Sequence, residues 1–249
     1  MKHLFLSLVI LLSGFHFYAQ GTLKDVKDGN MSFGNNPQTM DYFNNLRTMI
    51  KERDKAKAVE NIKGSPYDNE NFMKGTIMFG DRTYNNALLR YNAYADEVEM
   101  KINNPENKSE EIYALSKSPN LSFIINNNKI KYTAFLAKNK KDKIPGNVFV
   151  LVEGKEYSLY QRKLKRYKES KRATTSLQRS FPARFVDGAE YYMKTAGQTP
   201  TPIKLKQKEI LAFLTGDKKN KVKTYIKENK IDIKKTDHLV KLVNYMNSL

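Results

Sequence analysis

Cysteine and tryptophan are absent from the 249 residues, and histidine occurs only three times. Without cysteine the chain has no thiol nucleophile, no disulfide framework, no zinc ribbon and no iron–sulfur cluster. The glycines are too scattered to form a phosphate-binding loop, and the GxSxG and SxxK patterns of serine hydrolases do not occur. These absences exclude several enzyme classes before any other residue pattern is considered.

The first twenty residues predict export. Met1-Lys2-His3 is a short basic start, Leu4 to Tyr18 is almost wholly apolar, and the chain becomes polar at Gln20. This is the layout of a secretory signal peptide, and an apolar run of about 15 residues is shorter than the roughly 20 that a membrane-spanning helix needs. The end Tyr18-Ala19-Gln20 resembles signal peptides of Bacteroidota-type Gram-negative bacteria. We therefore expect residues 1–19 to be a signal peptide, with no transmembrane helix after its cleavage. The mature protein is then exported, to the periplasm, the outer membrane or the medium.

Cleavage of this signal peptide leaves His238 as the only histidine. A Ser-His-Asp triad or a histidine metal site would depend on this one residue. Its position beside Asp237, near the start of a predicted amphipathic helix, favours an ordinary surface residue. We accordingly predict a protein that is not an enzyme, with no catalytic residue, no cofactor and no metal site.

A two-residue period of apolar side chains predicts a β-rich middle. Val98, Met100 and Ile102 alternate with charged residues, which is the pattern of a strand with one wet face. The apolar parity changes just before this strand, so a tight turn or bulge is expected at Ala95-Asp96. Turn signals recur at short intervals, and we predict that residues 63–199 form an antiparallel β-meander. The meander could be a sandwich, an open sheet or a small barrel.

Helices are predicted on both sides of this region. Residues 20–62 form an N-terminal arm and helix, and residues 200–249 contain three short helices, after Lys206, after Gly216 and at Thr236, a good N-cap. The last helix has an apolar stripe formed by Leu239, Leu242, Val243, Met246 and Leu249. Helices this short need a partner surface. The predicted fold class is thus α+β, with an N-terminal helix and a C-terminal cluster of about three helices packed on the sheet.

Two stretches of the chain resemble a known family. The first comprises Lys63-Gly64-Ser65-Pro66-Tyr67, Phe72, Gly75 and Leu89-Arg90-Tyr91-Asn92, and the second is Leu242-Val243-Asn244-Tyr245-Met246-Asn247. They resemble an uncharacterised family of secreted proteins from Bacteroidota-type Gram-negative bacteria, with no assigned activity. The resemblance implies an exported protein, and it carries over no functional residue.

Positive charge is the main unusual feature that remains. The net charge is +18, of which +6 lies in residues 150–199 and +7 in residues 200–249, against +3 in residues 63–149. The densest run predicts an anion-binding surface formed by Arg162, Lys163, Lys165, Arg166, Lys168, Lys171 and Arg172. Because an exported protein meets little nucleic acid, the expected partners are lipopolysaccharide, anionic lipid or another envelope protein. The alternative is a lysine-rich composition whose charges are merely solvated.

The favoured function is therefore that of a non-enzymatic envelope protein that binds anionic envelope components through its basic C-terminal half. One alternative is a carboxylate-dependent hydrolase, such as a glycoside hydrolase, that uses Asp96, Glu97 and Glu99; strand alternation by itself explains the two glutamates. Another is a small outer-membrane barrel, against which the lysines on the outer face of residues 129–136 argue. Five tyrosines pack in the core or line a ligand groove: Tyr157, Tyr160, Tyr167, Tyr191 and Tyr192.

Overall fold

A computed structural model of the protein describes residues 62–103, 110–175 and 177–249. The predicted signal peptide, and the predicted N-terminal arm and helix except for Ile62, lie outside these residues. The described part has an α+β fold, with one antiparallel sheet followed by three helices. None of its helices combines the length and the apolar character needed to cross a membrane.

Ten strands form the sheet. Along the chain they are β1 Met73–Phe79, β2 Arg82–Asn92, β3 Glu97–Asn103, β4 Glu110–Ala114, β5 Leu121–Ile125, β6 Asn128–Leu136, β7 Lys143–Glu153, β8 Tyr157–Lys168, β9 Arg184–Thr195 and β10 Thr201–Ile203. Their order across the sheet is β10-β9-β8-β7-β6-β5-β1-β2-β3-β4, and every neighbouring pair is antiparallel.

The sheet consists of two meanders joined at their first strands. Strands β1 to β4 lead to one edge, and β5 returns to pair with the free side of β1 before β5 to β10 lead to the other edge. Of the three arrangements that the sequence left open, the structure shows the open sheet, with β4 and β10 as separate edges. The pairing of β1 with β5, which joins the meanders, places Gly75 opposite Ile125. The alternation of apolar and polar residues within a single strand does not predict which strand it pairs with.

The predicted change of parity lies at the turn between β2 and β3. Asp96 has a left-handed backbone conformation with φ of 57°, which Asp and Asn tolerate because their short polar side chains hydrogen-bond locally. The Asn92 side-chain oxygen accepts hydrogen bonds from the backbone N–H groups of Tyr94 and Ala95. The predicted tight turn at Ala95-Asp96 is therefore confirmed.

The three helices are α1 Gln207–Leu211, α2 Gly216–Glu228 and α3 Thr236–Ser248, and they lie where the sequence predicted them. In α3 the side chains of Leu239, Leu242, Val243 and Met246 are fully buried. Leu249, the last residue of the predicted stripe, follows the end of the helix and is 36% exposed. The segment after residue 199 does not begin with a helix, because Thr201–Ile203 first adds the edge strand β10 to the sheet.

The predicted N-cap role of Thr236 is wrong. Thr236 is the first residue of α3, and Lys235 precedes the helix without a side-chain capping bond. The hydroxyl of Thr236 instead shares a hydrogen bond of 2.7 Å with the hydroxyl of Tyr191 on β9. The Thr236 side chain, which the local sequence assigned to the helix end, is therefore hydrogen-bonded to the sheet instead.

Buried side chains form three clusters. The first lines β1 to β7, the second lies between the helices and β7 to β10, and the third is a small group that joins β6 to β9. In the third, the ring centroids of Phe135 and Tyr192 are 4.6 Å apart, although β7 and β8 separate their strands in the sheet. The N–H of Leu136 also donates to the carbonyl of Pro200 at 2.9 Å. This part of the sheet therefore curls, as twisted sheets do.

Arg90 fastens residues 63–72 to β2 and β3. Its guanidinium lies 3.6 Å from the ring centroid of Tyr67 and 4.3 Å from that of Phe72, and it pairs with the Glu99 carboxylate at 2.7 Å. The Arg90 and Glu99 side chains are only 14% and 9% exposed. Tyr67, Phe72 and Arg90 all belong to the first of the two stretches that resemble a family, and they contact one another through the Arg90 guanidinium. That stretch therefore has a structural role.

Asn247 fastens the end of α3 to the turn between β7 and β8. Its side-chain oxygen accepts hydrogen bonds from the N–H groups of Glu156 and Tyr157, at 3.2 and 2.8 Å. Its side-chain nitrogen donates to the carbonyls of Tyr157 and Val243. Gly154 accommodates this contact, because a Cβ there would lie 2.2 Å from the Asn247 side chain.

Candidate functional site

The basic run predicted to bind anions lies on a hairpin formed by β8 and β9. Strand β7 pairs with β8 only between Ser158 and Gln161, whereas the pairing of β8 with β9 continues to Lys168 and Arg184. We call residues 162–190 the hairpin arm and residues 169–183 its tip. The arm extends past the end of the β7 pairing by about 20 Å, at the usual rise of an antiparallel strand.

Two backbone contacts brace the hairpin arm. The N–H of Lys165 donates to the carbonyl of Ala93 at 3.1 Å, and Lys63 exchanges backbone hydrogen bonds with Ala183 and Phe185 at 2.9 Å. The arm is therefore held in place on both strands, and only the tip extends beyond these contacts.

Arg162, at the base of the hairpin arm, forms ion pairs with two carboxylates of the protein. Its guanidinium lies 3.3 Å from the carboxylate of Asp96 and 3.9 Å from that of Glu190, and it stands over the Phe135 ring at 5.3 Å. Burial raises the pKa of Glu190, but the hydrogen bonds from Lys138 and Tyr192, together with the charges of Lys138 and Arg162, outweigh this effect and lower the pKa overall. Since the Arg162 side chain is only 20% exposed, it is a structural cation.

Lys163 and Lys165 are neutralised in the same way. The ammonium of Lys163 lies 2.7 Å from the carboxylate of Asp68 and 4.4 Å from the ring centroid of Phe149. The ammonium of Lys165 lies 2.6 Å from the carboxylate of Asp187, which stands opposite it on β9. The structure thus gives carboxylate partners within 3.3 Å to three of the seven residues of the predicted anion-binding surface.

The alternation of side chains along β8 divides the basic run between the two faces of the strand. Successive residues of a strand point to opposite faces, so Arg162, Arg166 and Lys168 share one face and Lys163 and Lys165 the other. The predicted residues therefore form no single cluster, although a linear count of charge suggests one.

We call the part of the hairpin arm from Arg166 to Arg184 the distal hairpin arm. Its charge pattern is the opposite of that at the base of the arm. At the base, Arg162 stands opposite Glu190, but further along Lys168 stands directly opposite Arg184. Like charges directly opposite in an antiparallel pair are destabilising. No described carboxylate lies within ion-pair distance of Lys168 or Arg184, and Arg166 on the same face has only a contact of 4.0 Å with Glu190.

The tip adds more cations. Lys171 and Arg172 of the predicted anion-binding surface are exposed, and Arg179 is exposed on the returning side. No ion pair joins these three side chains to a carboxylate of the described part of the chain. The sequence analysis missed Arg179 and Arg184, because they lie outside the densest basic run and only the pairing around the hairpin brings them near it.

Exposed apolar side chains accompany these cations. Leu177 is 96% exposed, Phe181 is 46% exposed and Tyr167 is 38% exposed. Phe181 also lies beneath the guanidinium of Arg184, which is 5.1 Å from its ring centroid. The distal hairpin arm therefore presents positive charge and apolar surface together.

Two of the three acidic residues that a hydrolase would use, Asp96 and Glu99, are held by arginines. The carboxylate of Asp96 lies 3.3 Å from Arg162 and accepts a hydrogen bond from the hydroxyl of Tyr91 at 2.7 Å. Burial, together with this carboxylate, raises the pKa of Tyr91 well above its usual range. Glu99 is paired with Arg90. Asp96 and Glu99 are thus both buried and bound to separate partners.

Most of the predicted tyrosines are core residues. Three are at most 3% exposed: Tyr157, Tyr160 and Tyr192. Tyr191 is half-buried and bonded to Thr236 through its hydroxyl, and only Tyr167 is exposed. The interpretation as core packing is therefore confirmed for the three buried rings.

His238 stabilises a turn. Its Nδ1 accepts a hydrogen bond of 3.0 Å from the backbone N–H of Asp232, and its Nε2 lies 3.8 Å from the carboxylate of Asp237. Across residues 62–103, 110–175 and 177–249, no three His, Asp or Glu side chains are grouped so that they could hold a metal ion. Comparison of the chain with protein-family models, with curated proteins and with solved structures found no match in any of the three.

Proposed function

We propose that the protein is an exported, non-enzymatic component of the cell envelope that binds phosphate-bearing surfaces through its distal hairpin arm. The observation that carries the proposal is the pair formed by Lys168 and Arg184, two cations directly opposite each other without a carboxylate partner in the described structure. Arg166 adds a third cation on the same face. A phosphate group bound at this face would replace repulsion between cations with attraction to an anion.

The chemistry of these side chains suits phosphate. A guanidinium presents a planar set of donors that matches phosphate oxygens, and an ammonium adds a flexible point charge. The predicted signal peptide supports an envelope location, where anionic phospholipids and lipopolysaccharide both carry phosphate. Because Arg162, Lys163 and Lys165 already have carboxylate partners, the proposal excludes them from the binding face.

The hydrolase alternative gains no support from the acidic residues. A glycoside hydrolase needs two carboxyl groups that face a substrate in one cleft. Asp96 is instead bound by Arg162, and Glu99 is bound by Arg90. These carboxylates neutralise buried cations, and we assign them a structural role.

The test is the sedimentation of residues 20–249 with phospholipid vesicles. The protein is expected to bind vesicles in which about one lipid in four is anionic, and to dissociate as NaCl rises from about 0.05 to about 0.5 M, because salt screens exposed charges. Replacement of Arg166, Lys168 and Arg184 by Gln should weaken binding about 100-fold, at about 1 kcal/mol for each cation near the surface.

A matched control replaces three exposed lysines of α2, Lys219, Lys223 and Lys227, by Gln. This variant has the same net charge as the arm variant, but its changes lie on a helix. It should bind vesicles within about threefold of the unmodified protein, since exposed charges away from the surface are screened. Equal weakening by the two triple variants would show that overall charge, and no particular face, is responsible.

A further inference from the structure

The end of the hairpin arm carries an apolar side chain that the fold does not use. Leu177 is 96% exposed, the highest value among the exposed large apolar residues of the described chain. Single exposed apolar residues are common on proteins. Leu177 differs because it lies at the tip, between Arg172 and Arg179, on the same arm as the unpaired cations Lys168 and Arg184.

The tip is closed by its own hydrogen bonds. Lys171 and Phe181 exchange two backbone hydrogen bonds of 2.8 Å. Inside them, the N–H of Ala173 donates to the Ser180 hydroxyl at 2.9 Å, and the N–H of Gln178 donates to the carbonyl of Thr175 at 3.1 Å. These polar groups keep their partners when water is removed, which reduces the cost of placing the tip in a less polar medium.

We infer that the tip inserts Leu177 into the acyl region of an anionic phospholipid leaflet, with Phe181 at the level of the headgroups. Long cationic side chains can bury their stems while their charges remain at the phosphates, and Arg172 and Arg179, on either side of Leu177 in the sequence, are long enough to do so. Aromatic rings prefer the same interface. The inference deepens the proposed function and rests on it, because the arm must first approach an anionic surface.

The chain contains no tryptophan, so a single Leu177→Trp substitution reports on the tip alone. On addition of vesicles with about one anionic lipid in four, we expect its emission to shift to shorter wavelength. We also expect quenching by phospholipids brominated on their acyl chains. The matched control is Phe79→Trp at the end of β1, which is 47% exposed and four strands away from β8 in the sheet. It should show neither change.

A second variant measures what insertion contributes. Leu177→Ser should weaken vesicle binding about tenfold in about 0.15 M NaCl, at which the unmodified protein is still expected to be bound, because the apolar contribution of one leucine is lost. Ile112→Ser, at another exposed apolar residue on the edge strand β4, should bind like the unmodified protein. Circular dichroism checks that each variant is folded.

Sedimentation and fluorescence together separate the two proposals. Binding to anionic vesicles with an unshifted, unquenched tryptophan at position 177 overturns insertion and leaves the proposed function standing. Absence of sedimentation with anionic vesicles overturns the proposed function, and insertion with it.

Discussion

At the scale of single residues, Arg90 and Glu99 form the most enclosed ion pair that the structure describes. Their side chains are 14% and 9% exposed, and Asn92 donates a further hydrogen bond to the Glu99 carboxylate at 3.1 Å. A buried ion pair gains little over well-packed apolar residues, but the loss of one partner leaves an uncompensated buried charge. Arg90 is therefore needed chiefly to neutralise the buried carboxylate of Glu99.

The substitution Arg90→Met tests this interpretation. It should lower the free energy of unfolding by about 3–5 kcal/mol, as measured by urea denaturation of residues 20–249. It also removes the stacking of the guanidinium on Tyr67 and Phe72, so residues 63–72 should exchange their amide hydrogens faster. The control Arg82→Met, at an exposed position on β2, should change stability by about 0.5 kcal/mol or less.

A double variant identifies the cause of the loss. If the unpaired carboxylate is responsible, adding Glu99→Leu to Arg90→Met should restore a large part of the stability. If the double variant is as unstable as the single one, stacking on Tyr67 and Phe72 is the larger contribution and the interpretation as a buried charge fails.

The charged residues also show what the sequence could not predict at this scale. Their positions in the dense basic run were evident, but their partners were not. Arg162 contacts Asp96, 66 positions away, and Lys163 contacts Asp68, 95 positions away. A count of charge along the chain cannot include partners that only the fold brings near, so it overestimates the free positive charge at the base of the arm.

At the scale of secondary-structure elements, one polar side chain, that of Asn247, attaches the end of α3 to the β7–β8 turn. Asn247→Ala removes the side-chain oxygen that accepts two backbone N–H hydrogen bonds and the side-chain nitrogen that donates to two carbonyls. We expect it to lower the free energy of unfolding by about 2–4 kcal/mol, because partly buried backbone groups of Glu156 and Tyr157 lose their partners. Urea denaturation measures the loss, and hydrogen exchange should show faster opening at the β7–β8 turn.

The control for this prediction is Asn244→Ala, one helical turn earlier on α3. Asn244 is exposed, so its replacement changes helix propensity by only a few tenths of a kcal/mol. Equal destabilisation by the two alanine variants would mean that Asn247 acts through the helix itself, and its bonds to the sheet would then contribute little.

The elements differ in how far the sequence predicted them. The three helices and strand β3 follow from apolar periods of 3.6 and 2 residues, since each period reflects burial of one face. Strand β10 was not predicted, because three residues around Pro202 are too short for a period, and the sheet tolerates proline there at an edge. The pairing of β1 with β5 was also not predictable, because it depends on contacts between distant segments.

At the scale of the whole molecule, the positive charge separates into two kinds. One kind neutralises carboxylates inside the fold, as at Arg162, Lys163 and Lys165. The other kind has no carboxylate partner in the described structure, as at Lys168 and Arg184. The net charge of the chain does not distinguish these two kinds, although we expect them to have opposite consequences for stability.

Two triple variants of strand β8 and its partner make this difference measurable. Replacing Arg162, Lys163 and Lys165 by Gln should lower the free energy of unfolding by about 2–4 kcal/mol, because Asp96 then stays buried without a cation. Replacing Arg166, Lys168 and Arg184 by Gln should leave stability unchanged or raise it by up to about 1 kcal/mol, because like charges no longer stand opposite each other.

Each variant removes three positive charges, so an effect of net charge alone would change the stability of both in the same direction. Opposite signs in urea denaturation would show that pairing within the fold decides the outcome. In that case the distal cations cost the fold stability, which is expected of residues retained for binding. Destabilisation of similar size in both variants would contradict this division, and the distal hairpin arm would then have to be regarded as part of the structural framework.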